Sequence, residues 1–349
     1  MNTLSLPTEL LLKHLARFTS KKALVINAPD SKLLSLLPTE SSNTDWSFFD
    51  FEYSAHREKV AVAKQVNFSA EKLTCGAVIA QNTTYDLIII FLPKSRELVA
   101  YTLALASAHT TQNGTVALVG EKKAGIKSAR DVLEKHIGKI VWKEPGKHSE
   151  IIVAHLEKTP ASFQPEYTET SVVIGNISLT TRSLPGVFSL GELDGGTRLL
   201  LEHLPSSVSG KVLDFGCGSG IIGTMVAKMY PEANVDMTDS SMLAIASAKE
   251  TIKHNTLSNA RVFVSDIFSH ITESYDLIIS NPPFHDGYET AYDVTHTFFK
   301  EAPRFLKPGG TVLIVANAFL PYQKILTEVF GNCRIVVENP QFKILESIR

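Results

Sequence analysis

The sequence predicts an α/β protein of two Rossmann-like, doubly wound units in tandem: a seven-stranded mixed sheet in the second, and a degenerate copy of that plan in the first. Three observations carry this expectation. The 349 residues exceed one domain at roughly 100 to 200 residues each, and an apolar content of 44% supplies two cores. The second half alternates short apolar runs with helix-length segments, the pattern of β-α units feeding a parallel sheet. Two of its strand segments also recur upstream. Tyr85-Asp86-Leu87-Ile88-Ile89 is identical to Tyr275-Asp276-Leu277-Ile278-Ile279, and Gly114–Val119 parallels Gly310–Val315 at a similar spacing. Buried parallel strands are all rich in Ile, Leu and Val, but five identities in register beside a second matching strand point to duplication.

The elements follow in chain order. An opening strand at Ala23–Ile26 leads into Asn27-Ala28-Pro29-Asp30, which has no glycine, and the strand through Ile90 leads into Phe91-Leu92-Pro93-Lys94. This copy is expected to have kept the fold and lost its ligand site. Residues 160 to 183, with Pro160, Pro165 and the β-rich Ser171–Thr181, form the expected boundary, giving units at 1–165 and 166–349. Further strands are expected at Val212–Phe215, Asn234–Thr238, Arg261–Val264, Asp276–Ser280 and Thr311–Ala316. Helices lie between them at Ile221–Met229, at Met242–His254 with Ser240 or Ser241 as N-cap, and at Tyr292–Phe305. A helix near Pro321–Phe330 and an antiparallel pair, Arg334–Val337 and Phe342–Ile348, close the sheet.

Composition excludes several classes. Charged residues at 20% and aromatics at 8% describe a globular chain, not a disordered one. The longest strongly apolar run, Leu87–Leu92, is six residues, against the ~20 needed to cross a bilayer. Residues Met1–Phe18 lack a signal-peptide pattern, and three widely spaced cysteines indicate neither a disulfide framework nor a metal site, so a cytoplasmic setting is expected. The net charge of -2 hides an asymmetry: residues 1–160 carry 20 Lys+Arg against 16 Asp+Glu, leaving 14 against 20 in the remainder. The densest basic stretch runs from Lys122 to Lys147. A solvated helix face is its plain reading, and contact with RNA phosphate the functional one.

Asp214-Phe215-Gly216-Cys217-Gly218-Ser219-Gly220 carries a buried strand into a glycine loop that opens a helix. Doubly wound sheets bind nucleotide-like ligands at such turns, where glycine lets the backbone come close. Two readings compete. Gly218, Gly220 and Gly223 match the dinucleotide pattern, with Asp239 about twenty residues on, but that pattern should begin directly after the strand. Asp214, Gly216, Gly218 and Gly220 match the S-adenosylmethionine form, in which the acidic group serves the cationic amino-acid end of the cofactor, and the segments that follow favour it. Asp239 closes the second strand, where a carboxylate accepts from both ribose hydroxyls, or else it caps a helix. Asp266 follows the third strand as acceptor for the adenine amino group, with Ile267 against the ring, or else it is a turn residue.

Ser280-Asn281-Pro282-Pro283-Phe284-His285-Asp286-Gly287 follows the fourth strand. Two prolines remove two backbone donors, so the stretch presents carbonyls and suits a substrate that donates. The Asn281 oxygen and the Pro282 carbonyl can accept from both N–H bonds of a planar amine, while Phe284 stacks on its ring and Pro283 stiffens the loop. Transfer from a sulfonium needs no strong base, so His285 and Asp286 are assigned to loop shape. Upstream, Leu184-Pro185-Gly186-Val187-Phe188-Ser189 and the helix-opening Gly191–Leu201 place Phe188 and Thr197 where they could cover the methionine end of the cofactor. A plain helix start is the alternative.

At these residues, and at Val315–Pro321, the sequence resembles the ribosomal RNA small subunit methyltransferase C family. That family looks like a tandem of two class I methyltransferase domains with only the second active, and the degenerate first half extends the likeness over nearly the whole chain. The resemblance implies methylation of N2 of one guanine in helix 34 of 16S rRNA on the assembled small subunit, with S-adenosylmethionine as methyl donor. It implies no membrane, and a monomer is expected. The sibling large-subunit enzyme shares the Asn281–His285 pattern, while Asp286-Gly287 and Leu184-Pro185-Gly186 favour the small-subunit one. Phe215, where the family more often has a smaller apolar residue, is a departure. A non-catalytic, cofactor-binding assembly factor is the competing class, and the intact Asn281–Phe284 loop beside an intact glycine loop argues against it.

Overall fold

A computed structural model describes residues 4–159, 162–188, 190–282 and 289–349. Pro283, Phe284, His285, Asp286 and Gly287 of the carbonyl-presenting loop, together with Pro160 and Ser189, lie outside the described residues. The chain divides into two compact units, Met1–Pro165 and Glu166–Arg349.

The first unit contains strands β1 (Lys22–Ile26), β2 (Asp45–Asp50), β3 (Leu73–Cys75), β4 (Tyr85–Phe91), β5 (Thr110–Glu121), β6 (Ile140–Pro145) and β7 (Ser149–His155). Its helices are α1 (Leu6–Lys13), α2 (Leu33–Glu40), α3 (Tyr53–Val66), α4 (Arg96–His109) and α5 (Arg130–His136). The strand order is β3-β2-β1-β4-β5-β7-β6, with β1 to β5 parallel and β7 antiparallel to both neighbours. Leu87, Ile89 and Phe91 of β4 join one core, with Val25, Phe48, Ala117 and Leu33. Ile88 and Ile90, pointing the other way, are also fully buried. A strand covered on both faces therefore reads as an unbroken apolar run.

In the second unit, β8 (Thr168–Ile174) and β9 (Ile177–Ser183) form an antiparallel ribbon. There follow α6 (Gly195–Glu202), β10 (Gly210–Phe215), α7 (Ile221–Met229), β11 (Ala233–Asp239), α8 (Met242–His254), β12 (Ala260–Val264), β13 (Tyr275–Ser280), α9 (Glu289–Glu301), β14 (Leu306–Asn317), α10 (Tyr322–Phe330), β15 (Arg334–Glu338) and β16 (Phe342–Ile348). The order β12-β11-β10-β13-β14-β16-β15 repeats that of the first sheet strand for strand. Val212, Met237, Leu277, Ile279 and Leu313 pack on one face with Met225 and Val226 of α7, and Leu213, Phe215, Ile278 and Val312 pack on the other with Phe298 and Phe299 of α9. Each such side chain contributes roughly 1.5 to 3 kcal/mol when fully buried.

The copies agree in detail. Tyr85 pairs with Thr110 but Leu87 with Thr115, and the same register shift recurs where Tyr275 pairs with Leu306 and Leu277 with Thr311. The recurrent aspartate does the same work in both: Asp86 accepts from the Lys22 backbone N–H at 3.2 Å, and Asp276 from that of Lys211 at 2.7 Å.

Two sequence expectations change. The α-helix expected over Tyr292–Phe305 begins at Glu289 and stops at Glu301, continuing as a 3-10 turn over Ala302–Phe305. Pro303, which cannot donate a backbone hydrogen bond, falls within that turn. The β-rich Ser171–Thr181 segment of the boundary region lies in strands β8 and β9, and Val172, Ile174 and Leu179 enter the second core. The ribbon is tied to α8 through Thr251 Oγ1, which accepts from Arg182 N at 2.9 Å, and through Asn255. The Lys122–Lys147 stretch is not one helix face, since it spans the chain from the end of β5 through a 3-10 turn and α5 to β6. Among the described residues no helix is long and apolar enough to cross a membrane.

Candidate active site in the second unit

The sheet order reverses between β10 and β13, which opens a crevice at their carboxyl ends. Ser280 Oγ donates to the Phe215 carbonyl at 2.7 Å and ties the two strand ends together. Phe215 stacks on Phe298 with ring centroids 4.1 Å apart, so its bulk is absorbed by the aromatic face of the core.

Beyond Phe215 the chain turns sharply. The N–H groups of Gly216 and Cys217 both donate to the Thr238 carbonyl, at 2.8 and 2.9 Å, laying the loop across the end of β11. Gly216 and Gly218 have φ of +69° and +55°, where side chains other than glycine are strained. A Cβ on Gly216 would meet no described atom within 4 Å, and one on Gly218 would meet only Val187 Cγ1 at 3.9 Å. These two positions face open space. At Gly223 a Cβ would fall 2.7 Å from Met237, so that glycine serves the packing of α7. The dinucleotide pattern leaves out Gly216, which borders the crevice.

Asp214 is fully buried on β10. Its Oδ2 accepts from Gly223 N at 2.7 Å, while Oδ1 has no partner among the described residues. Burial pushes its carboxyl up to about 7, against the opposing Gly223 N–H and with help from the charge of Asp239. A buried acceptor lacking a donor fits a cationic ligand group. Asp239 Oδ2 accepts from Gly218 N and Oδ1 from Ser241 N, each at 2.9 Å. The N-cap position of α8 belongs to Ser241, so Asp239 pins the glycine loop to the helix start instead. Burial raises its carboxyl too.

Past β12, the Ser269 N–H donates to the Asp266 carbonyl at 3.0 Å, which realises the turn reading in the backbone. Ile267 has φ of +50°. A β-branched residue there stores on the order of 1 to 3 kcal/mol, a strain that concentrates at ligand sites. Its carbonyl is held by Ser265 Oγ at 2.8 Å.

Asn281 directly follows β13. Its Nδ2 donates to Thr197 Oγ1 at 2.9 Å and to Asp194 Oδ2 at 3.1 Å, and its buried Oδ1 has no partner among the described residues. Pro282 is buried beside it. Asp194 is the N-cap of α6 and accepts from Thr197 N at 2.9 Å. Thr197 is thus joined to Asn281, whereas Phe188 is 55% exposed and Val187, buried, lies nearest the glycine loop. Sequence reasoning passed over Asp194, Val187 and Ser280. Only Asp194 left a signal, as a capping residue before Gly195-Gly196-Thr197.

Comparison with known proteins matches the chain to named families. The model of the methyltransferase small domain matches residues 178–346, and that of the methyltransferase small domain N-terminal region matches residues 8–169. The chain is similar to the ribosomal RNA small subunit methyltransferase C of Psychromonas ingrahamii, 37% identical with 99% of this chain and 98% of that one covered. It is similar to the protein of the same name from Vibrio parahaemolyticus, 38% identical over 85% and 89%. Among solved structures it is similar to a T. thermophilus 16S rRNA N2 G1207 methyltransferase in complex with AdoMet and guanosine, with a TM-score of 0.81 and 25% identity over 98% of this chain and 91% of that one.

Proposed function

Since the chain belongs to the ribosomal RNA small subunit methyltransferase C family and is an S-adenosylmethionine-dependent rRNA methyltransferase, we propose that its second unit methylates the exocyclic N2 of one guanine in helix 34 of 16S rRNA on the small ribosomal subunit. The target corresponds to the G1207 named for the T. thermophilus enzyme. The observation that carries this reading is the buried Asn281 Oδ1 at the end of β13, which has no partner among the described residues, beside a glycine loop with two open positions.

The residues present fit the cofactor. In this reading Gly216 and Gly218 bring backbone against it, while Gly220, where a Cβ would fall 3.0 Å from Ala248, packs the loop on α8. Asp239 takes the ribose hydroxyls, Asp266 the adenine amine and Ile267 the ring, while Asp214 receives the ammonium and Phe188 and Thr197 border the methionine end. S-adenosylmethionine supplies a methyl group on a sulfonium. Asn281 Oδ1 and the Pro282 carbonyl accept the two N–H bonds of the guanine amine, Phe284 stacks on the extruded base, and Pro283 keeps the loop free of a competing donor. Acceptors on both hydrogens turn the nitrogen lone pair toward the methyl and stabilise the positive charge that builds on nitrogen. As the C–N bond forms the S–C bond breaks, and the methylated nitrogen then loses a proton to solvent.

The test is methyl transfer to small subunits, with mass mapping of 16S rRNA. Asn281→Ala is expected to lower turnover by roughly 100- to 1000-fold while leaving cofactor affinity within about a factor of two. Near-normal turnover in that variant would sink the mechanism.

A further inference from the structure

We infer that Asp194 and Thr197 are positioning residues that decide which end of the Asn281 amide faces the reacting amine, an inference that rests on the role proposed for Asn281 in methyl transfer. An asparagine offers an accepting oxygen and a donating nitrogen at two corners of a nearly symmetric group. Only the oxygen serves an N–H donor. At Asn281 the choice is made from α6. Both Nδ2 hydrogens are used, one on Thr197 Oγ1 at 2.9 Å and one on Asp194 Oδ2 at 3.1 Å, which leaves Oδ1 buried and unpartnered among the described residues. Turning the amide over would set Oδ1 against a carboxylate and aim two N–H groups at the incoming donor.

The anchors are themselves fixed. Asp194 caps α6 through Thr197 N, so one turn of helix holds both acceptors at a spacing set by the cap. Gly195 and Gly196 close against Phe342, where added Cβ atoms would fall 3.2 and 3.1 Å from the ring. The charge of Asp194 adds a second effect. A carboxylate accepting from an amide N–H pushes electron density toward the amide oxygen, so the chain from carboxylate to amide to amine strengthens along its length. Asn281 remains the group that touches substrate, and Asp194 acts through it.

Five variants of the full chain, Asn281→Ala and its double with Asp194→Ser among them, test this by single-turnover methyl transfer to small subunits, with cofactor affinity by calorimetry and melting temperature alongside. Asp194→Ser keeps a capping oxygen for Thr197 N but is too short to reach Asn281. Its turnover is expected to fall roughly 10- to 100-fold, as a misplaced reacting group requires, with melting temperature and cofactor affinity little changed. Thr197→Val is expected to lose turnover likewise and Thr197→Ser to retain it, a pair that carries the test should Asp194→Ser fail to fold. In an Asn281→Ala background, Asp194→Ser should have no further effect, because no amide is left to orient. A full rate in both Asp194→Ser and Thr197→Val, or the same fold-loss from Asp194→Ser in both backgrounds, overturns the inference. Unimpaired turnover in Asn281→Ala, or a wild-type chain that methylates no guanine N2, overturns instead the reading beneath it.

Discussion

Asp214 has no acidic counterpart in the first unit, and its setting predicts a pH dependence. β1 pairs Ala23 with Leu87 and β10 pairs Val212 with Leu277, so Val25 occupies the place of Asp214. The Asp214 carboxyl stands at about 7 in the fold against an ordinary 3.8. Folding therefore takes up a proton, and this group's contribution to the stability of the ligand-free chain is lost as pH rises through that window. A ligand ammonium on Oδ1 favours the ionised form, so binding expels the proton. Affinity for S-adenosylmethionine is expected to rise with pH up to about 7 and then level, and Asp214→Asn to flatten that rise, as calorimetry across the range would show. Equal pH slopes in the two proteins would refute the assignment. The acidic residue before the glycines was legible in the sequence, because spacing alone reveals it. That its second oxygen lacks a partner among the described residues was not, since the absence of a neighbour is a property of the folded packing.

At the scale of elements, the glycine loop separates two roles that look alike in the chain. Gly216→Ala should cost the free protein about 1 to 2 kcal/mol for its positive φ, because its Cβ would meet no described atom within 4 Å. It should weaken cofactor binding more than tenfold, since the methyl enters the ligand's space. Gly223→Ala, pressed on Met237, should mainly lower the melting temperature. Thermal melts and calorimetry on both would show this, and like effects from the two would remove the distinction. Strands buried on both faces were readable to within a few residues, and α7 and α8 start and stop where their periodicity and the N-cap serine place them. Elements defined by distant partners were less so. The Asp194–Asn281 bond joins positions 87 apart, and no local pattern announces it. The Lys122–Lys147 charges looked continuous because charge carries no period.

For the whole molecule, we propose that the first unit contacts RNA and holds no cofactor. One S-adenosylmethionine per chain is the expected stoichiometry, and two sites by calorimetry would reject it. Within the basic stretch, Lys122 Nζ donates to the Gly146 carbonyl at 2.6 Å and Arg130 pairs with the buried Glu150, so these two serve the fold. Lys127, Lys135, Lys139 and Lys143 are exposed. Neutralising those four should weaken binding to the small subunit and flatten its salt dependence by roughly one unit for each phosphate that is no longer paired with a lysine, without moving the melting temperature. An unchanged slope would confine the unit to a structural role. The first copy also keeps the backbone of a ligand turn: Asn27, with φ of +55°, donates its N–H to the Phe49 carbonyl as Gly216 does to Thr238. One residue further along each strand stand Asp50 and Asp239. Asp50 meets Lys59 of α3 at 2.9 Å, both side chains 3% exposed. Lys59→Met alone should destabilise the first unit by roughly 3 to 5 kcal/mol, and adding Asp50→Leu should recover most of the loss, as urea unfolding would reveal. An unaltered midpoint in the single variant would contradict the pairing. Neither partner can be replaced alone without stranding the other as a lone buried charge, so the two are kept together or lost together.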